Sequence, residues 1–415
     1  MKTLAITTFL AAAARRCSIA GLACTALSLT STGAFPQETV KIGLVLPLSG
    51  PLADVGRQAQ AGAKLYMELN GGTLAGKKVE LVVKDDQSTP DKAVALAREL
   101  VVNDKAAALG VALTSSALAI APFATQAKTA TVLVASPASI STDRSIYFVR
   151  ASYTLGQPSR AIAEWAFKNG SKKAAVIRSM GLAGIEAGAE FADAFTRAGG
   201  TITEPIDVPF TADDLTPFLL KVRSSKPDTV FAFVLPRQAV TLAKQFAELD
   251  LAKEGIKLIG PGEIVDEDIL PQAGETMVGL VTAGVYSALH DSPVNKRFVE
   301  AFRKANQFRP NVVAVAAYDG MHLIYEALKK TGGKTDGDAL VEAMKGMKWE
   351  SPRGPVSIDA RTRNMTQNIY LRKVEKVQNE YYNLEFQTVA AVSSEPPLCC
   401  VPQTCSNMNI CSRAQ

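Results

Sequence analysis

"KIGLVLPLSGPLADVGRQAQAGAKLYMELN", Lys41–Asn70, reads as a buried strand, a short Pro/Ser/Gly turn and an amphipathic helix. In the helix, Gln60, Lys64 and Glu68 recur at i, i+4 and i+8 on a polar face, while Ala59, Gly62, Ala63 and Tyr66 gather on an apolar one. Such a helix packs on a sheet, and a strand feeding it is the first half of a parallel βαβ unit. A strand-to-helix turn of this kind usually meets an anion, because the first amides of the helix have no intrahelical partner.

The rhythm continues outward. "KVELVVKDD" (78–86), "AAALGVA" (106–112), "TVLVASP" (131–137) and "IYFVR" (146–150) are short β-rich runs, with helical stretches between the first three and the strand at 41. Thr89-Pro90-Asp91 supplies a cap, a first-turn proline and an acidic first turn for the helix "DKAVALARELVVND". After "RASYTLGQPSRA" (150–161) the alternation restarts with strands "KAAVIRS" (173–179), "TITEPIDV" (201–208), "DTVFAFVL" (228–235) and "IKLIGPG" (256–262). Helices follow from Pro293 to about Met347, and "NIYLRKVEKVQNEYYNLEF" (368–386) reads as a β-hairpin turning near Gln378-Asn379. The fold class expected is therefore α/β, with two Rossmann-like lobes built on parallel-rich sheets. No long flexible linker separates them, which implies that the chain crosses between lobes more than once.

Length and composition agree. A chain of 415 residues, 47% hydrophobic and 20% charged, can bury two ordinary cores. Residues 1–34 carry only Lys2, Arg15 and Arg16 as charges and end in an apolar, small-residue run, the pattern of a secretory signal cut after Ala34. Beyond it 42 basic residues face 40 acidic ones, a balance that argues against a nucleic-acid partner. Cys399, Cys400, Cys405 and Cys411 crowd a Ser/Pro/Cys tail, 391–415, of unknown role, while residues 35–398 hold no cysteine.

Several chemistries lack their residues. The turn "PLSGPLADVG" has neither G-x-x-x-x-G-K-[ST] nor G-x-G-x-x-G, and its two prolines leave few amides for a phosphate. No G-x-S-x-G or H-E-x-x-H occurs, and His290 and His322 are the only histidines, so no metal, cofactor or catalytic residue is expected. Carboxylate groups at Asp85-Asp86, Asp213-Asp214 and Asp266 to Asp268 read as caps or solvated turns.

What remains is a set of loops at strand C-terminal ends, where open α/β sheets bind ligands. "LTSSA" places Thr114, Ser115 and Ser116 at a strand-to-helix junction able to grip a carboxylate; capping accounts for one hydroxyl but hardly three. "ASPASIST" (135–142) offers further hydroxyls and carbonyls. Across the cleft, "GPGEIVDED" gives a Gly-rich approach and Glu263, and "LPRQA" gives Arg237, which reads equally as a solvated first-turn residue.

At these loops the sequence resembles the leucine/isoleucine/valine-type solute-binding proteins of bacterial ABC importers, with the type I periplasmic binding protein fold. The resemblance covers roughly residues 38–388 and rests on the ordered set of the opening stretch, "VVKDDQSTPDKAVALARELV", "LTSSA", "SPAS", "LIGPGE" and "AAYDGMHLIYEAL". It implies a carboxylate-gripping hydroxyl and amide at Thr114 and Ser115, a carbonyl and hydroxyl at Ala138 and Ser139, and Val55 lining the first turn. Two departures stand out. Ile140 replaces a hydroxyl expected two residues after Ala138, and Gly262 stands directly after "GP", where amino-acid binders place the acid that pairs with the ligand ammonium; Glu263 follows one step late. An aromatic or aliphatic carboxylic acid without that ammonium fits the remaining groups, with Leu182, Tyr286 and Val55 as apolar walls; a shifted Glu263 would readmit an amino acid.

The resemblance further implies lobes at 38–155 plus 286–357 and 156–285 plus 358–388, hinged near 153–158, 283–288 and 354–362. It implies a periplasmic, monomeric, non-enzymatic protein that delivers its ligand to the membrane subunits of an ABC permease. A ligand-sensing receptor subunit and an amidase-type regulator share that fold and stay open as alternatives.

Overall fold

The computed structural model describes residues 38–394; the expected leader and the four cysteines of the expected tail lie outside them, while the first residues of that tail, Ala391 and Val392, belong to the last strand. Six strands form a first sheet: β1 (Thr39–Leu46), β2 (Thr73–Leu74), β3 (Lys77–Asp85), β4 (Ala106–Ala112), β5 (Ala130–Ala135) and β6 (Phe148–Arg150), in the order β2-β3-β1-β4-β5-β6. All neighbours but β2 and β3 run parallel, so the C-terminal ends of β1, β4 and β5 share one edge. Helices α1 (Ala53–Asn70), α2 (Pro90–Arg98) and α3 (Thr114–Gln126) are the crossovers.

The second sheet has ten strands: β7 (Lys173–Ser179), β8 (Thr201–Ile202), β9 (Ile206–Val208), β10 (Thr229–Phe233), β11 (Lys257–Pro261), β12 (Val281–Gly284), β13 (Lys348–Ser351), β14 (Gly354–Ile358), β15 (Met365–Val377) and β16 (Glu380–Val392). Strands β7 to β12 pair in parallel, separated by α4 (Gly156–Lys168, which leads into β7), α5 (Leu182–Arg197), α6 (Thr216–Ser225), α7 (Pro236–Glu248) and the short α8 (Leu270–Ala273). An antiparallel extension, β13-β14-β15, joins at β12, and β16 folds back on β15 through Gln378 and Asn379, both at positive φ, the backbone of a tight hairpin turn.

Helix α9 (Pro293–Asn306) packs against α1 and β13, while α10 (Val312–Lys330) and α11 (Gly337–Met344) return to the first sheet. There α10 lies against α1 so closely that a Cβ on Gly62 would run into the Ala314 carbonyl, which accounts for the small residues of the opening helix. The burial of α1 follows its sequence pattern: Ala59, Gly62, Ala63 and Tyr66 are buried while Lys64 and Glu68 are exposed. His322 has a structural place in this layer, its Nδ1 3.1 Å from the Tyr66 hydroxyl and its ring tilted against Trp349.

Strands β13 and β14 are hydrogen-bonded into the second sheet, yet Val356, Ile358 and Met365 pack into the core of the first. A buried ion pair fixes this crossing. Asp319 of α10 accepts from Arg353 Nη2 at 2.7 Å, Arg353 Nε at 3.0 Å, Ser351 Oγ at 2.8 Å and Trp349 Nε1 at 2.9 Å, while Arg353 also donates to the Ala151 carbonyl and to Gln367. One arginine thus ties α10 to the segment after β6 and to Gln367 near the start of the long strand β15.

The carboxylate pairs divide. Asp214 accepts from the Thr216 amide at 2.9 Å as a cap. Asp85 holds the first turn by accepting from the Leu48 amide at 2.8 Å and the Ser49 hydroxyl at 2.6 Å, and Asp86 is buried. The 266–268 loop differs from the solvated turn expected. Glu267 is fully buried, accepting from Asn383 Nδ2 at 3.1 Å and facing Arg309 at 3.6 Å, because β16 and the Arg309 segment cover a loop that looks exposed in sequence. Among the described residues no helix is long and apolar enough to cross a membrane, and no group of His, Cys, Asp and Glu could hold a metal ion.

Candidate functional site

The parallel strands set the site by ending together. On the first lobe the loops after β1, β4 and β5 meet at one edge; on the second, the loops after β7, β10, β11 and β12 do. After β4, Leu113 takes a positive φ of 68° and turns the chain into α3, whose first residues are Thr114 and Ser115. No side chain caps this helix, so the amides of its first turn keep their donors. The three hydroxyls divide their duties: Ser116 donates to Asp86 at 2.7 Å and locks the loops together, Thr114 accepts from Ser136 at 3.4 Å, and Ser115 is exposed.

After β5 the chain forms a 3₁₀ turn over Ser139–Arg144. Beneath it lies Arg150, fully buried at the end of β6, donating to the carbonyl of Ala138 at 2.7 Å, to that of Ser139 at 3.2 Å and to Asn364 at 2.8 Å. The Ala138 carbonyl is therefore occupied by the protein's own guanidinium. The Ser139 amide points across the cleft and is taken by a carboxylate of the other lobe: it donates to both oxygens of Glu186 on α5, at 2.9 and 3.1 Å. The Ser139 hydroxyl, 5% exposed, makes no aligned hydrogen bond. Burial pushes the Glu186 carboxyl up to about 7, against the opposing pull of Ser139 and Arg150.

The second lobe adds a group near the chain crossing. Glu263, in the 3₁₀ turn after β11, accepts from the hydroxyl of Tyr153, which sits between β6 and α4. Beside them is Arg372 of β15, 3% exposed, which donates to the carbonyl of Tyr286 and whose Nε has no partner. Its guanidinium explains two glycines. A Cβ on Gly262 would press into Arg372 Nη2 with Cζ at 3.2 Å, and one on Gly284 would meet Cζ and Nη2 at 2.5 Å. The position where amino-acid binders are expected to carry an acid is bare here because an arginine fills the space.

Burial holds the carboxyls of Glu263, Asp266 and Glu267 above their ordinary values, with Arg372 pulling each the other way. The Tyr286 phenol is likewise raised by burial, and its hydroxyl, on a residue 1% exposed, lacks a partner. Tyr153, Gly262, Glu263, Tyr286 and Arg372 line a cavity of about 10 Å³, at the lower limit of what holds one water. A ring-sized molecule does not fit this cavity as it stands.

The remaining expected residues lie around this centre. Val55 is half-buried in the first turn of α1 and packs on the first core; Leu182 opens α5 and is half-buried. Arg237 is exposed on α7, paired with Asp213 and donating to the Phe210 carbonyl at 2.9 Å, so its charge is spent at the surface. A groove of about 470 Å³ between α4 and α5, lined by Arg160, Phe167, Lys168 and Arg197, lies towards the C-terminal end of α5 and away from these loops.

A profile described as periplasmic binding protein matches residues 39–379. The chain belongs to this family. Among its relatives, "Leu/Ile/Val-binding protein homolog 6" of Brucella suis biovar 1 is 41% identical over 377 residues, covering 89% of this chain and 96% of that one. An ABC transporter solute-binding protein of Rhodopseudomonas palustris BisB5, solved in complex with 3,4-dihydroxybenzoic acid, is 51% identical with a TM-score of 0.83, covering 86% of this chain and 98% of that one. A second, from R. palustris HaA2 in complex with p-hydroxybenzoic acid, is 36% identical with a TM-score of 0.83, covering 85% and 98%. The periplasmic binding proteins of type I have the two-lobed α/β fold expected from the loops, and this chain shares it.

Four residues of the site escape the sequence reading: Arg150, Tyr153, Glu186 and Arg372. Arg150 leaves a trace, a charge ending the apolar run "YFV". Arg372 leaves none, since β15 is central and the ladder register shifts between Leu371 and Arg372, so alternation along the hairpin does not say which side the arginine takes.

Proposed function

We propose that this periplasmic binding protein is the extracytoplasmic solute-binding component of an ABC importer, and that its solute is a small carboxylate without an α-ammonium, an aromatic acid first of all. The observation that carries this reading is the exchange at Gly262: a buried guanidinium, Arg372, stands beside the place of the expected ammonium-binding acid. The late acid, Glu263, is engaged by Tyr153 and shares its cavity with that arginine. A ligand ammonium there would face a cation and lack a free counter-charge, a penalty of several kcal/mol on the order of an unpaired buried ion. The hydroxybenzoate complexes of the two Rhodopseudomonas relatives support the aromatic class.

In this reading the ligand docks first on the uncapped amides of Thr114 and Ser115 and on Ser139, with Val55, Leu182 and Tyr286 as walls. Closure about hinges near 153–158, 283–288 and 354–362 then brings in the second lobe, with lobe boundaries at 38–155 plus 286–357 and 156–285 plus 358–388. Ligand shifts the lobes toward closure only by its greater affinity for the closed form. In this reading no bond is made or broken, and the ligand leaves the cleft as it entered. The protein works as a monomer in the periplasm after loss of residues 1–34, handing its ligand to permease subunits.

Thermal-shift screening of leader-free protein, unfolded and refolded to strip ligand, tests the reading. Benzoate and its 4-hydroxy and 3,4-dihydroxy derivatives raise the melting temperature by mass action, and leucine, isoleucine and valine do not. A response to the amino acids alone refutes it.

A further inference from the structure

The Glu186 contact is unusual in its direction. A carboxylate of the second lobe reaches across the cleft and sets both oxygens on the amide of Ser139, the residue whose hydroxyl is expected to meet the ligand. We propose that Glu186 is a ligand-contacting residue that shares a proton with the bound carboxylate, so that capture of the acid takes one proton from solution. This rests on the carboxylate reading of the ligand given above.

The charges around the contact dictate the coupling. From β6, Arg150 supplies one cation beneath the Ala138 and Ser139 carbonyls, and its Nη1 is buried without a partner. On the same helix as Glu186, Glu190 adds a negative charge one turn on, held at 2.5 Å by Arg160 of α4. From the 3₁₀ turn, Asp143 faces Arg150. Before any ligand arrives, Arg150 already answers both Glu186 and Asp143, and Arg160 answers Glu190. A ligand carboxylate entering beside the unaligned Ser139 hydroxyl adds a further anion without a further cation. Two carboxylates meeting at Ser139, one on its amide and one beside its hydroxyl, do not both stay ionised in a buried cleft; they hold one proton between them.

The balance is simple: ligand anion plus one proton plus ionised Glu186 gives the complex, with the proton on the Glu186–ligand pair and no covalent bond changed. Glu186 is prepared for this, since burial already lifts it to about 7. A protonated Glu186 donates to the ligand carboxylate.

Isothermal titration calorimetry of the leader-free wild-type protein with 4-hydroxybenzoate, in pairs of buffers of different ionisation enthalpy, counts the protons. The expected uptake is close to one at pH 8.5 and close to zero at pH 5.5, with Kd weakening by up to about tenfold per pH unit above 7. Glu186→Gln, which keeps a donor and cannot titrate, abolishes the uptake and flattens the pH dependence of Kd. Tight binding at pH 8.5 with no proton uptake, or a Glu186→Gln variant that retains the wild-type pH slope, overturns the proposal and leaves the ligand class standing. Failure of every aromatic acid to bind overturns the ligand class and this inference together.

Discussion

Replacing Gly262 with alanine tests whether Arg372 is held where the structure places it. The new methyl group would overlap Arg372 Nη2, with Cζ at 3.2 Å and the Gly284 Cα at 3.3 Å, so the guanidinium has to retreat by about 1 Å to reach ordinary contact. That retreat takes Arg372 off the Tyr286 carbonyl and further from Thr282 Oγ1, already at 3.4 Å. Loss of one charged, buried hydrogen bond costs about 1.5–3 kcal/mol. Against it stands the smaller entropy of an unfolded alanine, about 0.4–1 kcal/mol, leaving a net loss of about 1–2 kcal/mol. In a thermal melt of unliganded protein this lowers Tm by roughly 1–3 °C. The diagnostic is the pair: with Arg372→Met already in place, Gly262→Ala no longer meets the guanidinium, and the two costs fall short of their sum by about 1 kcal/mol or more. A Gly262→Ala protein melting within 1 °C of wild type, or strict additivity in the double variant, refutes the reasoning.

The other expectations are briefer. Asp319→Asn leaves Arg353 buried without its counter-charge and lowers unfolding stability by about 3–5 kcal/mol, read as a lower denaturant midpoint; a change under about 1 kcal/mol contradicts the role of the pair. Glu186, Glu263, Asp266 and Glu267 have folded pKa values raised by burial, so the folded chain binds more protons than the unfolded one above about pH 4.5. Their contribution is greatest below that pH and is lost as pH climbs toward 7, whereas the lowered Asp85 and Asp359 lose theirs only on acidification below about 4. Tm of the unliganded protein accordingly falls from pH 5 to pH 7, and Glu186→Gln reduces that slope; a Tm that rises over the interval speaks against the burial of these acids. Arg237→Ala, removing an exposed cation already paired with Asp213, changes 4-hydroxybenzoate affinity less than about threefold in a titration, and a tenfold loss would return Arg237 to the site.

Much of the architecture is legible because its signals are local. The strand, turn and helix of Lys41–Asn70, and the repeats that follow, announce parallel units through periodicity, and those units bring Thr114, Ser139 and Gly262 to strand ends without any tertiary knowledge. The hairpin turn at Gln378-Asn379 is equally local. What escapes depends on partners far along the chain. Ser116 reads as one of three ligand hydroxyls until Asp86, thirty residues away, is seen to take it. The acids at 266–268 read as solvated because nothing local shows that Arg309 and Asn383 will cover them. Gly262 is visible as a departure, but its reason, a guanidinium arriving from β15, is a long-range packing fact. Glu186 sits in an ordinary amphipathic helix and gains its role only when the lobes meet.

The central claim is that this cleft takes a carboxylate and refuses an α-ammonium. Its most direct test is calorimetric titration of refolded, ligand-free protein with 4-hydroxybenzoate and, separately, with leucine. The account predicts a saturable one-site isotherm for 4-hydroxybenzoate and none for leucine at the same concentrations. Saturable binding of leucine, with 4-hydroxybenzoate silent, would contradict it.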